Sequence, residues 1–367
     1  MKRHNLNINF SDIIEDRVKK ELQCPECGSE LRLSETRLVC HSCKKSYLID
    51  NATRICSFFA DIGINKSKKQ IIDWWDDLYQ QCYAEDDALL TEDTLNLDLV
   101  DLEDMFKKRN HLAFVEMLPI LKKNKGLRIL EIGPGSGGHA ALFSKYGASV
   151  TTVDITPNRA VSTANKLKLV GDKRGFSCQG DSEKLPFKSD CFDVVYSNGV
   201  LHHTSSTTRA IEEVFRVLKP GGKTVLMLYS RHSALFWLNL VPHAIANTNI
   251  FSMKEENWIG IATEGVPKFG TQKNPITRVY SASEIEDLLI KFKIISCRKG
   301  SFQFTFFPGL HILRNLFMKL FGFKKHPGCK IVYGDTRYID TKFELFLGKY
   351  FGWDWNIIAL KDLQNNK

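Results

Sequence analysis

The segment Ile129-Leu-Glu-Ile-Gly-Pro-Gly-Ser-Gly-Gly138 constrains the fold of this chain more than any other. A short apolar run of strand character enters a turn with glycine at 133, 135, 137 and 138, and a helical pattern follows over 136–146. Glycine lets a backbone turn sharply and approach a ligand or a neighbouring element closely. The amides that open the helix then face whatever occupies the turn. Strand, glycine turn and returning helix form the opening unit of a parallel α/β sheet. Taken alone, the loop is equally compatible with a plain structural turn.

The residues downstream continue the same alternation. Val150-Thr-Thr-Val153 reads as a second strand, and a helix over 157–169 starts on a proline. Phe176-Ser-Cys178 and Phe192-Asp-Val-Val-Tyr196 read as the third and fourth strands, and 207–218 as a helix. A fifth strand spans 223–229 after the turn Pro220-Gly-Gly222. Ser281-Ala-Ser-Glu284 is a capping sequence for a helix through Phe292. Strands follow at 293–297 and 353–360. Strands separated by helices of this length pair in parallel, which predicts an α/β, Rossmann-like, doubly wound sheet. Two irregular, aromatic-rich insertions, near 230–280 and 303–350, are expected to form a cap over substrate.

The loop spacing is GxGxG rather than the GxGxxG of a pyrophosphate site, and Glu131 precedes it. A carboxylate there repels phosphate but suits a ligand with a sulfonium and an ammonium group. Asp154 ends the second strand, where a carboxylate can accept from both ribose hydroxyls; it can equally cap the helix that starts near Pro157. Asp181 follows the third strand, where a carboxylate can accept from an adenine amino group. Asn198, His202 and His203 follow the fourth strand, at the end of the sheet where such folds bind ligands.

This ordered set resembles the class I S-adenosylmethionine-dependent methyltransferases, in particular the ubiquinone-biosynthesis-like (type 11) group, over about residues 126–230. The resemblance implies S-adenosylmethionine as cofactor. It implies Glu131, Gly133, Gly135 and Gly137 at the methionine end and Asp154 at the ribose, with Ile155 beside it. Asp181 and Ser182 would border the adenine, and Asn198 and Leu201 the reaction centre. His202 and His203 are candidate general bases; the alternative is that one packs beneath the cofactor and the other caps the loop. Trp74, Trp75 and Tyr79 lie in a helical, acidic-aromatic stretch over 61–125. They are lid candidates, with at least one tryptophan expected in the core.

Ten cysteines accompany an N-terminus without an apolar leader, and four of them stand as Cys24-Pro-Glu-Cys27 and Cys40-His-Ser-Cys43. Two CxxC turns separated by twelve residues can close a tetrahedral four-thiolate site. The expected metal is structural Zn2+, in a reducing, cytoplasmic compartment. The run through Lys45-Ser-Tyr-Leu-Ile-Asp50 resembles the zinc ribbons of methyltransferase-activator proteins. The chain thus divides into a ribbon over 1–60, a helical linker or lid over 61–125 and a methyltransferase domain over 126–367. The other six cysteines are expected as packed thiols.

No motif names the acceptor. The insertions favour a small molecule, quinone-like, lipid-linked or a secondary metabolite. One alternative is RNA methylation with the ribbon as a docking module, since a net charge of +9 fits an anionic partner; another is a non-catalytic scaffold. No stretch of ~20 apolar residues is present for a transmembrane span. Leu310, Leu313, Phe317, Leu320 and Phe321 share one face of a helix. Such a face either touches a membrane surface or, more often, packs against the core. Oligomeric state is not encoded.

Overall fold

The computed structural model describes residues 10–59, 66–247, 250–263, 274–329 and 336–362. Its strands are β1 (Leu31–Ser34), β2 (Arg37–Cys40), β3 (Ser46–Asp50), β4 (Ile55–Ser57), β5 (Arg128–Ile132), β6 (Ser149–Asp154), β7 (Phe176–Gln179), β8 (Phe192–Asn198), β9 (Leu218–Tyr229), β10 (Lys293–Gly300) and β11 (Asp354–Leu360). They join in one sheet of order β1-β2-β3-β4-β7-β6-β5-β8-β9-β11-β10. From β7 to β9 every pairing is parallel, and β11 enters antiparallel between β9 and β10. The α/β, Rossmann-like expectation holds.

Period-two alternation builds the two layers. Leu130, Val195 and Leu226 face one core, which also takes Ala210, Ile211 and Val214 of the helix Thr207–Val217. Ile129, Val194 and Val225 face the other, covered by Leu95, Leu99 and Leu102 of the helix Glu92–Lys108. That helix starts on a reciprocal capping box between Thr91 and Thr94 and buries one stripe at helical spacing.

Several boundaries differ from the sequence expectation. The turn at Pro220-Gly-Gly222 is a bulge inside β9: Leu218 pairs with Phe192 and Lys223 with Val194. The helix on the Ser281–Glu284 capping box stops at Leu288. The irregular insertions contain the helices Val241–Asn247, Glu255–Thr263, Leu310–Leu320 and Lys342–Phe351. Residues 264–273 and 330–335 of these insertions lie outside the described residues. Cys82 and Cys297 are exposed, whereas Cys56, Cys178, Cys191 and Cys329 are buried thiols as expected.

The cysteine-rich segment extends the main sheet. β4 pairs in parallel with β7, with Cys56 opposite Cys178 and Ser57 opposite Gln179. The Gln23 amide donates to the Pro186 carbonyl at 3.0 Å. Leu22, Leu38 and Tyr47 share one apolar cluster with Leu130 and Val195.

Candidate cofactor site and cysteine cluster

A pocket opens at the C-terminal ends of β5, β6, β7 and β8. The turn after β5 forms its floor. Gly133 and Gly137 both have left-handed backbones, with φ of 68° and 82°. A Cβ at 133 would lie 2.4 Å from Val200 Cγ2, and one at 137 would lie 2.9 Å from the Thr163 Cα. Both positions therefore require glycine, the first for the pocket wall and the second for helix packing.

Of the residues expected from sequence, Gly133, Gly135, Asp154, Ile155, Asp181, Ser182, Asn198 and His203 line this pocket. Glu131, Gly137, Leu201 and His202, expected at the cofactor and the reaction centre, are not among the lining residues. Glu131 is 1% exposed, and burial, reinforced by the Asp154 charge, pushes its carboxyl up to about 8. Its Oε1 lies 3.7 Å from His139 Nδ1. Burial holds His139 down to about 4, so both groups are neutral near pH 7 and this approach is not an ion pair. His202 is fully buried and tilts over the Tyr229 ring at 3.9 Å.

Asp154 Oδ1 accepts from the Thr156 amide at 2.9 Å and its hydroxyl at 3.0 Å, which orients the carboxylate without making it the helix cap. Desolvation raises its pKa, and the Arg159 charge opposes that shift. Asp181 accepts from the Glu183 amide at 3.0 Å and is ion-paired with Lys68. A ligand amino group would have to share that carboxylate. His203 Nδ1 lies 3.1 Å from the Ile276 carbonyl and 2.9 Å from Asn274 Nδ2, and burial holds the ring down to about 4. Trp75 stands edge-on to His203 at 5.1 Å and walls the pocket, while Trp74 and Tyr79 are buried. The stretch nominated as a lid thus contributes one tryptophan to the site and one to the core.

Lys68, His139, Arg159 and Glu183 also line the pocket and were not identified from sequence. His139 and Arg159 fall in the first turns of the helices Gly138–Lys145 and Pro157–Leu169. Position after a strand could have identified them. Lys68 carries no such signal, because it meets Asp181 from 113 residues away.

The pocket's chemistry fits S-adenosylmethionine. Asp154 and Asp181 on its wall can receive hydroxyl and amino donors. Buried Glu131 Oε2, Asn198 Oδ1 and His139 Nε2 have no hydrogen-bond partner among the described residues. A glycine cradle lies beside them.

Residues 130–226 match the family described as "Methyltransferase domain". Over that segment the chain is similar to methyltransferase domains. An uncharacterized methyltransferase, YcgJ, of Bacillus subtilis (strain 168) is 35% identical over 27% of this chain and 40% of its own length. A demethylmenaquinone methyltransferase of Lactococcus lactis is 31% identical over 39% of this chain and 60% of its own. A phthiotriol/phenolphthiotriol dimycocerosates methyltransferase of Mycobacterium leprae is 30% identical over 46% and 64%. The match spans between 32% and 64% of the length of these curated relatives and others like them. A solved SAM-dependent methyltransferase from Methanosarcina mazei aligns with a TM-score of 0.44 at 20% identity, covering 67% of this chain and 98% of that one.

At the far side of the sheet, the sulfurs of Cys24, Cys27, Cys40 and Cys43 all lie within 4.8 Å of one another. Cys24 and Cys43 are 3.6 Å apart, and Cys27 and Cys40 are 3.4 Å apart. A tetrahedral zinc with four thiolates at its usual bond length has sulfur edges of about 3.8 Å. The four sulfurs therefore stand near the corners that such a site would need. The Tyr47 hydroxyl lies 3.1 Å from Cys24 Sγ, where it can support the ligand.

Proposed function

We propose that the protein transfers the methyl group of S-adenosylmethionine to a small apolar acceptor of quinone-like or lipid-linked type. One observation carries this reading: a single pocket gathers the glycine turn, Asp154, Asp181 and Asn198 from four successive strand ends. Bound there, the cofactor supplies an electrophilic methyl on a sulfonium sulfur. The chain's own residues have simpler tasks. Asp154 and Asp181 hold the nucleoside, Asn198 offers an acceptor oxygen near the reaction centre, and Trp75 excludes water. Ile71, Trp75 and Val200 make the acceptor side apolar, and the names of the relatives acting on demethylmenaquinone and on phthiotriol lipids point the same way.

Of the two candidate bases, His203 rather than His202 lies on the pocket wall. A ring held down to about 4 is a weak base at pH 7, so its role here is to position an acceptor that enters as its anion, its proton already lost to solvent. The four-cysteine cluster holds structural zinc and makes the N-terminal ribbon a metal-stabilised module ahead of the helical cover and the methyltransferase domain; residues 1–9 and 60–65 of the 1–60 and 61–125 parts lie outside the described residues.

The test is calorimetric titration with S-adenosylhomocysteine, followed by methyl-label transfer to quinone and lipid extracts and to total RNA. Binding together with label in the lipid extract is the expected result. Label in RNA overturns the acceptor class, and absence of binding overturns the cofactor.

A further inference from the structure

The helix Leu310–Leu320 is inverted with respect to the core. The side chains it buries are Arg314 and Met318. Arg314 makes a two-pronged ion pair with Glu344 of the helix Lys342–Phe351, at 2.6 and 2.9 Å, with both groups buried. The stripe Leu313, Leu316, Phe317 and Leu320 points away from the protein, each residue at least 49% exposed. Phe321 and Phe323 prolong it at 67% and 48%. On the partner helix Phe343, Phe346 and Tyr350 repeat the pattern, each more than half exposed. An apolar area of this kind is costly in water and marks a surface that is covered in use.

Charge identifies the cover. Beyond Arg314, which Glu344 already neutralises, residues 315–334 contain four lysines and no aspartate or glutamate. Next to the apolar stripe, His311, Asn315 and Lys319 follow one another at helical spacing, and with Lys325 and Tyr338 they line a shallow groove. An apolar stripe flanked by cations is complementary to acyl chains beneath anionic headgroups. A second copy of the same face would set these cations against each other. The placement is also apt. Residues after Gly300 leave the C-terminal end of β10, which runs parallel to β9, so this face is built at the end of the sheet where the pocket opens.

We infer that the helices Leu310–Leu320 and Lys342–Phe351 form a docking surface for an anionic lipid bilayer. The inference does not depend on the chemistry assigned to the pocket.

The experiment is co-sedimentation of the full chain with vesicles of phosphatidylcholine alone and of equal phosphatidylcholine and phosphatidylglycerol. S-adenosylhomocysteine affinity and sedimentation velocity are measured in parallel. Binding at least tenfold tighter to the anionic vesicles, weakening as salt rises, is expected. Leu313→Glu with Phe317→Glu should lower that binding tenfold or more, and Lys324→Glu with Lys325→Glu should remove the preference for anionic lipid. Because all four side chains are exposed, the nucleotide affinity should not change, which checks that the variants are folded. Equal vesicle binding by wild type and the Leu313/Phe317 variant overturns the inference. So does absence of vesicle binding, or a wild-type dimer that this variant dissociates.

Discussion

Replacing Glu131 by glutamine should flatten the dependence of stability on pH. In the folded chain burial and the Asp154 charge raise this carboxyl to about 8, against an ordinary value of 4.5. A raised pKa means that the native state holds a proton the unfolded chain has released. The contribution to stability is then fully present below pH 4.5 and is lost as pH rises towards 8. Integrated between pH 5.5 and pH 8.5, the loss from this one group is about 3 kcal/mol. Glutamine cannot titrate, so urea unfolding at the two pH values should give changes in stability that differ by about 3 kcal/mol between wild type and Glu131→Gln. The absolute stability of the variant also reflects the amide's unmet donors, but that offset is the same at both pH values and cancels in the comparison. Equal changes would refute the claim that Glu131 is a neutral, buried acid in the free protein.

Gly133→Ala should lose at least tenfold in S-adenosylhomocysteine affinity, because its Cβ would lie 2.4 Å from Val200 and force the pocket wall to move; unchanged affinity would place the ligand elsewhere. Gly137→Ala should cost about 2–4 kcal/mol in urea unfolding, since left-handed strain adds to a clash with the Thr163 backbone that no rotamer relieves. Cys24→Ser should release one zinc per chain by elemental analysis and lower the thermal midpoint of the whole molecule by about 4 °C or more. The coupling arises because β4 is a strand of the main sheet, and an unchanged main transition would show that the two parts melt independently. His203→Asn should reduce kcat less than about tenfold, against 10²-fold or more for a general base, and the wild-type rate should show no His203 inflection between pH 6 and 9, since the ring titrates near about 4.

Local features of the chain determined much of this protein. The strand and glycine turn at 129–138, the acids closing β6 and following β7, and the two CxxC pairs are short-range patterns. Backbone sterics and pleat periodicity act within a few residues, so these elements and the placement of Asp154, Asp181 and Asn198 in one pocket were legible without coordinates. Tertiary structure decided what depends on long-range approach. Lys68 meets Asp181 across 113 residues, and β4 joins β7 although nothing in Ile55–Ser57 announces a parallel partner. The neutrality of Glu131 and His203 follows from desolvation by elements that arrive from elsewhere in the chain. The helix Leu310–Leu320 makes the same point: its amphipathic pattern was plain in the sequence, but which face turns outward was set by Glu344 drawing Arg314 inward. Periodicity determines that a stripe exists, and only the neighbours that pack against it determine whether it is buried.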